Sequence, residues 1–246
     1  MKVNVYFSPN HLDELALRDK NIVVIDVLRA STTICYAMRA GAKEIIPVGS
    51  VDQAMKIVGN LFSTSTVLCG ERSGKRIEGF TLGNSPAEYT AEIVEGKSLI
   101  LATTNGAVAL TKAKHARNCF VGAIVNVSYV AKALTEISDL DTTDLVIICS
   151  GKEGDFAIED AVCAGMILQK LIDLGISFEL TDGARAVLSL LDEYGKDLYT
   201  TLRESDHGKY LVSIGFEADI KTSSEVDSVQ IVPVLEQTVI KKKLIY

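Results

Sequence analysis

Two apolar runs without polar alternation limit this chain's fold more than any other feature: Ile22 to Ile25, closed by Asp26, and Leu145 to Cys149. A strand that is apolar on both sides must be covered on both faces, and each run is followed by a helical pattern. That combination predicts a buried sheet with helices on both sides, a three-layer α/β/α arrangement around a mixed sheet. The same order recurs along the chain. Strands are expected over 3–7, 22–27, 44–48, 67–70, 98–102, 119–123 and 145–149. Helices are expected between them over 31–40, 51–62, 106–114 and 127–137. The last third changes character, with helices over 157–174, 184–191, 198–203 and 207–214 and two closing strands, 229–234 and 239–245. Lys241, Lys242 and Lys243 in the final strand suit an exposed sheet edge. VIDVLRASTTI and LILATTNGAVAL share one pattern of apolar strand, polar turn and small-residue helix, each leading to another strand. Only four prolines are present and no linker interrupts the pattern, so one domain over 1–246 is expected, with room for two subdomains.

With 246 residues, 48% of them hydrophobic, the chain can bury a large core without covalent staples. A net charge of −7 argues against a nucleic-acid partner, which needs a basic footprint. It leaves room for a small anion held by a few local cations. Met1–Phe7 reads as a short strand, not a secretory leader, and no run of about 18 apolar residues suggests a membrane span. The five cysteines are odd in number, far apart and mostly inside apolar runs. Buried free thiols and a cytoplasmic location follow as expectations.

Polar residues gather where the strands end. Asp26 closes one strand, and Arg29, Ser31 and Thr32 open the next helix. Ligands of open α/β sheets collect at the carboxyl ends of strands, and a helix N-terminus offers unpaired N–H groups to an anion. Arg29 offers a planar, bidentate guanidinium to phosphate or sulfonate, and Asp26 suits Mg2+. The plainer alternative has Ser31 capping the helix and Arg29 pairing with Asp26. Glu71 ends another strand and leads into Arg72, Gly74, Lys75 and then Asn84-Ser85-Pro86, about 17 residues with little regular pattern. Thr103, Thr104, Asn105 and Gly106 form an uncharged turn suited to an oxyanion, or simply a turn and cap. Ser150-Gly151 follows a further strand, and Glu159 and Asp160 begin a long helix, where the dipole alone favours acids. His207, in Ser205-Asp206-His207-Gly208, is the histidine best placed for chemistry, while His11 and His115 sit in polar stretches. No zinc spacing, P-loop or Gly-x-Ser-x-Gly elbow is present.

Taken together, VIDVLRASTTI, GERSGKRIEGFTLGNSP, TTNGAVAL, CSGKEGDFAIEDAVCAG and SDHGKYL resemble the 2-phosphosulfolactate phosphatase (ComB-like) family, in the same order from Val24 to Leu211. The resemblance implies an α/β architecture of its own, Mg2+-dependent hydrolysis of a phosphate monoester of sulfolactate on the way to coenzyme M, and a homodimer. It places Asp26, Arg29, Ser31, Thr32, Glu71, Arg72, Asn84, Ser85, Thr104, Asn105, Gly106, Glu159, Asp160 and His207 in family motifs. The mechanism this suggests has Asp26 and Glu71, helped by Glu159 or Asp160, holding Mg2+. Arg29 and the loops at Ser31 and Asn105 would bind phosphate, and Arg72 or Lys75 the substrate's sulfonate or carboxylate. Either a water activated by the metal or Asp26 itself attacks phosphorus, and His207 protonates the leaving group. The alternatives are another small acidic phosphate ester as substrate, or a non-catalytic anion or nucleotide sensor.

Overall fold

The computed structural model describes residues 1–10, 12–61, 65–138, 140 and 142–243. In chain order its elements are β1 (Lys2–Tyr6), β2 (Asn21–Ile25), α1 (Ala30–Arg39), β3 (Glu44–Val48), α2 (Val51–Leu61), β4 (Thr66–Arg72) and β5 (Lys75–Arg76). There follow α3 (Ala91–Val94), β6 (Ser98–Ala102), α4 (Gly106–Lys112), β7 (Asn118–Gly122), α5 (Val127–Thr135), β8 (Leu145–Cys149), α6 (Ile158–Asp173) and β9 (Glu179–Leu180). The chain continues through α7 (Asp182–Tyr194), α8 (Leu198–Glu204), α9 (Asp206–Ser213), α10 (Glu217–Ser223), β10 (Pro233–Glu236) and β11 (Val239–Lys242). The expected end of the helix at Phe62, the expected end of the last strand at Ile245, and His11 lie outside the described residues.

The apolar runs behave as their composition demands. All five residues of β2 and all five of β8 are buried. Ile22, Val24, Val146 and Ile148 face one core, packed on Ile34, Met38 and Leu110 of α1 and α4. Val23, Ile25, Leu145 and Ile147 face the other, packed on Leu134, Ile167, Leu168 and Val187 of α5, α6 and α7. Each such side chain contributes roughly 1.5–3 kcal/mol through burial. On the far part of the sheet Ile100 and Ala102 turn to a third, smaller core with Ala54 of α2. Helices therefore cover both faces, as the sequence predicts.

The strand order is β5-β4-β6-β3-β11-β10-β7-β2-β8-β1-β9. It consists of two parallel groups, β4-β6-β3 and β7-β2-β8-β1-β9, with the antiparallel hairpin β10–β11 between them. This corrects the expectation that the last strand is a free edge. Ile240 of β11 pairs with Ile45, and Val234 of β10 pairs with Phe120, so the C-terminal hairpin bridges the two groups. The lysines are tolerated because Leu235 and Ile240 supply the buried side chains while Lys241 and Lys242 stay in solvent. The strand expected from Val229 begins only at Pro233.

The two similar sequence segments become β2-α1-β3 and β6-α4-β7, and each carries the chain from one parallel group to the other. Eight of the ten residues of α1 are buried. Its core holds Val24, Val121 and Ile148 from one group together with Cys69, Leu99 and Leu101 from the other. The two groups thus share one core, and the starts of α1 and α4 meet at Ala30 and Gly106.

Candidate active site

Asp26 follows β2 and lies at the mouth of α1, 5% exposed. Its Oδ1 accepts from Ala30 N at 3.1 Å, and its backbone N–H donates to Ser31 Oγ at 2.9 Å. Burial pushes the Asp26 carboxyl up from near 3.8 to about 6. His207 and the Ala30 N–H oppose this shift, while the carboxylates of Glu71 and Glu159 add to it.

Gly106 opens α4 directly beside it. A Cβ there would stand 2.8 Å from both Ala30 Cβ and Asp26 Oδ2, so only glycine lets the two helix N-termini approach this closely. A second close approach occurs at Gly70, with φ of 145° and room for no side chain against the Ala102 carbonyl. There β4 bends and delivers Glu71 to the end of β6. Glu71 Oε1 accepts from Thr104 N and Oε2 from Gly74 N, both at 2.8 Å. Its carboxylate thus ties the Gly-rich loop to the Thr103–Gly106 turn.

Arg29 is 3% exposed. Its Nη1 donates to Asp219 Oδ2 at 2.7 Å, Nη2 donates to the Gly74 carbonyl at 2.5 Å, and the guanidinium stacks 4.2 Å from the Phe216 ring centre. Asp219 accepts through its other oxygen from Ser85 Oγ at 2.6 Å. The plainer alternative, in which Arg29 pairs with Asp26, therefore does not describe this arginine. Arg29 has five N–H donors and keeps some free of these two bonds. The main chain of Asn84 is held by Thr33 Oγ1 at 2.9 Å, and its buried Oδ1 has no hydrogen-bond partner among the described residues.

Asp26, Arg29, Glu71, Gly74 and Asn84 line one cavity of about 140 Å3, together with Arg72, Thr103, Thr104, Asn105, Lys152, His207 and Tyr210, while Gly106, which the sequence placed on the substrate, is not in its lining. Nδ1 of His207 stands 3.4 Å from Glu159 Oε1. The sequence expectation that Asp26, Arg29, Glu71 and Asn105 face one place is thus met in space. Other expected residues stand behind the wall. Ser31 caps the Asp26 turn, Thr32 Oγ1 donates to the Val27 carbonyl at 2.8 Å, and Ser85 serves Asp219. Lys75 is exposed on β5 and does not line the cavity. Asp160 accepts from Val27 N at 2.8 Å and Gly151 N at 3.0 Å, clasping the loops after β2 and β8. Burial and the nearby charges of Asp26 and Glu159 hold its carboxyl well above the usual range, and the two N–H bonds do not cancel that. Glu159 reaches the site through His207 and also lines a neighbouring cleft with Phe156 and Tyr194.

Lys152 and Tyr210 lie in the family stretches without a role assigned from sequence, and Phe216 and Asp219 lie outside them. Lys152 was within reach, two residues after Ser150 in a strand-end loop. Nothing local marks Asp219, which acts on residues far away in the chain.

The hard oxygens at the cavity are the carboxylates of Asp26 and Glu71, and the wall residue Asn84 carries a buried amide oxygen beside them. Among the described residues no three His, Cys, Asp or Glu side chains close on one point. Mg2+ does not demand that, since it commonly takes one or two carboxylates and completes its shell with water and substrate phosphate. The orphaned Asn84 Oδ1 adds a buried acceptor awaiting a partner. Asp26, Glu71 and Asn84 could hold such an ion.

Residues 6–238 match the sequence pattern of the 2-phosphosulpholactate phosphatase family. The chain belongs to that family. A protein of Caldanaerobacter subterraneus named "Probable 2-phosphosulfolactate phosphatase" is 39% identical over 98% of each chain. Its namesakes in Clostridium beijerinckii and Clostridium tetani are 36% and 34% identical, over 95% and 98% of this chain and 96% and 100% of their own lengths. Among the described residues no helix is long and apolar enough to cross a membrane. All five cysteines are buried free thiols, and burial pushes each of them up.

Proposed function

We propose that this chain is a Mg2+-dependent phosphoric monoester hydrolase that converts 2-phosphosulfolactate to sulfolactate and inorganic phosphate, a reaction of coenzyme M biosynthesis. The observation that carries this reading is the meeting of Asp26 and Arg29, Glu71 and Asn84, and His207, from three separate stretches of sequence, on one cavity in a chain of that family. A bare anion sensor would need the cations and helix N-termini but not the acids. The retained carboxylates favour hydrolysis.

Phosphate-ester hydrolysis needs positive charge on the transferring oxygens and an oriented nucleophile. A Mg2+ held by Asp26, Glu71 and Asn84 would neutralise phosphoryl charge and make phosphorus more electrophilic. Arg29, rigid between Asp219 and Phe216, presents its remaining N–H groups to the phosphoryl oxygens. Asp26 takes the proton of the attacking water as its oxygen bonds to phosphorus. A carboxyl near 6 is more basic than an ordinary one and still ionised at neutral pH. As the ester P–O bond breaks, His207 gives a proton to the departing alkoxide, with Nδ1 steadied by Glu159. The same reading expects one domain acting as a homodimer in the cytoplasm, a reducing compartment in keeping with five free thiols.

Phosphate release from a panel of phosphate esters, with and without Mg2+, is the test. Release that is fastest with 2-phosphosulfolactate and depends on Mg2+ is expected. Faster release from another acidic ester would move the substrate within the family, and tight binding of every ester with no release would make the protein a sensor.

A further inference from the structure

The cavity's cations differ in what already engages them. Arg29 is bound to Asp219 and Gly74. Arg72 donates to the carbonyls of Glu71 and Gly49, at 3.2 Å each. His207 stands against Glu159. Lys75, the other residue expected to meet the substrate's second acid group, lies outside the cavity. Lys152 lines the cavity, and no carboxylate among the described residues lies within ion-pair distance of its Nζ. Its contact is with the Tyr210 ring, 5.3 Å from the ring centre, and the Tyr210 hydroxyl is fixed to the Ser73 carbonyl at 2.8 Å.

The main chain of Lys152 is held firmly. Lys152 and Asp155 exchange two backbone hydrogen bonds, N to O at 3.1 and 2.9 Å, around Glu153 and Gly154. Both central residues have positive φ, 54° and 91°, the mark of a tight reverse turn. Glu153 N then donates to Asn105 Oδ1 at 3.0 Å, which anchors the turn to the start of α4. A flexible, strongly hydrated ammonium is thereby presented from a fixed point on the cavity wall. It also borders the adjoining cleft, so it stands at the junction of the two spaces rather than at the floor beside Asp26.

We propose that Lys152 is the residue that selects the organic half of the substrate, binding a second strong-acid group, sulfonate or carboxylate, carried by the ester beside its phosphate. This rests on the phosphatase reading above and deepens it. Phosphate is recognised at the Asp26–Arg29 end, and the tail anion at Lys152. Esters with a neutral tail lose that contact, so the site takes phosphate esters of small hydroxy acids.

The test compares Lys152→Met and Lys152→Arg with the wild type. Affinities of metal-free protein for 2-phosphosulfolactate, for phospholactate, which lacks the sulfonate, and for inorganic phosphate, which lacks any tail, are measured by calorimetry. Steady-state KM and kcat are measured in parallel. Lys152→Met is expected to weaken 2-phosphosulfolactate about 10- to 100-fold, the weight of a charge-assisted contact. It should weaken inorganic phosphate by less than about fivefold, the weight of a screened charge at longer range. Lys152→Arg should restore most of the loss. An equal loss for phospholactate assigns the contact to the carboxylate, and a loss confined to 2-phosphosulfolactate assigns it to the sulfonate. Equal weakening of tailed and tail-free ligands, or no weakening of either, overturns the inference. A wild type that binds but releases no phosphate overturns the phosphatase reading instead, and the affinity comparison still decides Lys152.

Discussion

Asp26 shows how one residue can be half legible. Its place at the end of an apolar strand is written in the sequence. Its depth, and the pressure on its proton, come from groups tens of residues away. Burial and the charges of Glu71 and Glu159 outweigh His207 and leave the carboxyl near 6. If Asp26 must be ionised to work, kcat/KM at low Mg2+ should fall by about tenfold per pH unit below roughly pH 6. Asp26→Asn should abolish that acid limb and lower kcat/KM by at least about 100-fold, the usual weight of a positioned base. The melting temperature at neutral pH should not fall, because the change removes a buried charge that opposes folding there. A pH–rate profile of both proteins checks this, and an Asp26→Asn enzyme with wild-type turnover would falsify a chemical role for Asp26. Asp219 illustrates the opposite case. It supports Arg29 and Ser85 from a segment whose sequence carries no sign of the task.

The elements easiest to read were those with a continuous apolar run or long helical periodicity, such as β2, β8 and α6. The hardest was α10, seven residues with only Asp219, Ile220 and Ser223 buried, too short for a stripe to register. What the strands and helices do together was less visible still. α1 and α4 follow strands in different parallel groups, yet their N-termini touch at Ala30 and Gly106. Gly106→Ala isolates this contact. Helix propensity would favour alanine by at most about 1 kcal/mol. The added methyl, 2.8 Å from Ala30 Cβ and Asp26 Oδ2, must push the two helix starts apart. A kcat loss of about 10- to 100-fold with little change in unfolding free energy is expected, since displacements on the order of 1 Å at a reacting centre are costly. Unchanged kcat would show that the close approach serves packing alone.

For the whole molecule, the buried acid makes stability depend on pH, and the proposed metal would couple to it. Asp26 in the folded protein binds its proton more tightly than in the unfolded chain, where its value is near 3.8. Between pH about 4 and 6 the folded state therefore holds more protons, and Asp26's contribution to stability falls as pH rises through that window. An ion that binds the ionised carboxylate compensates for this. Saturating Mg2+ should raise the melting temperature clearly at pH 7.5, through a gain of about 2.7 kcal/mol at a hundredfold excess over Kd. At pH 5 the proton competes and the rise should shrink. Equal rises at both pH values, by scanning calorimetry, would remove Asp26 from the metal site. The sequence by itself determined the α/β class, most strands, the family motifs and the placing of acids and cations at strand ends, because hydrophobic periodicity and turn chemistry are local. Tertiary structure alone decided that the C-terminal hairpin sits inside the sheet and that α1 and α4 start side by side. It also decided that Asp160, Ser31 and Ser85 support the site from behind while Lys152 stands at its mouth. Those outcomes depend on which strands pair across long stretches of chain, and pairing energy is shared among residues whose own neighbourhoods do not record their partners.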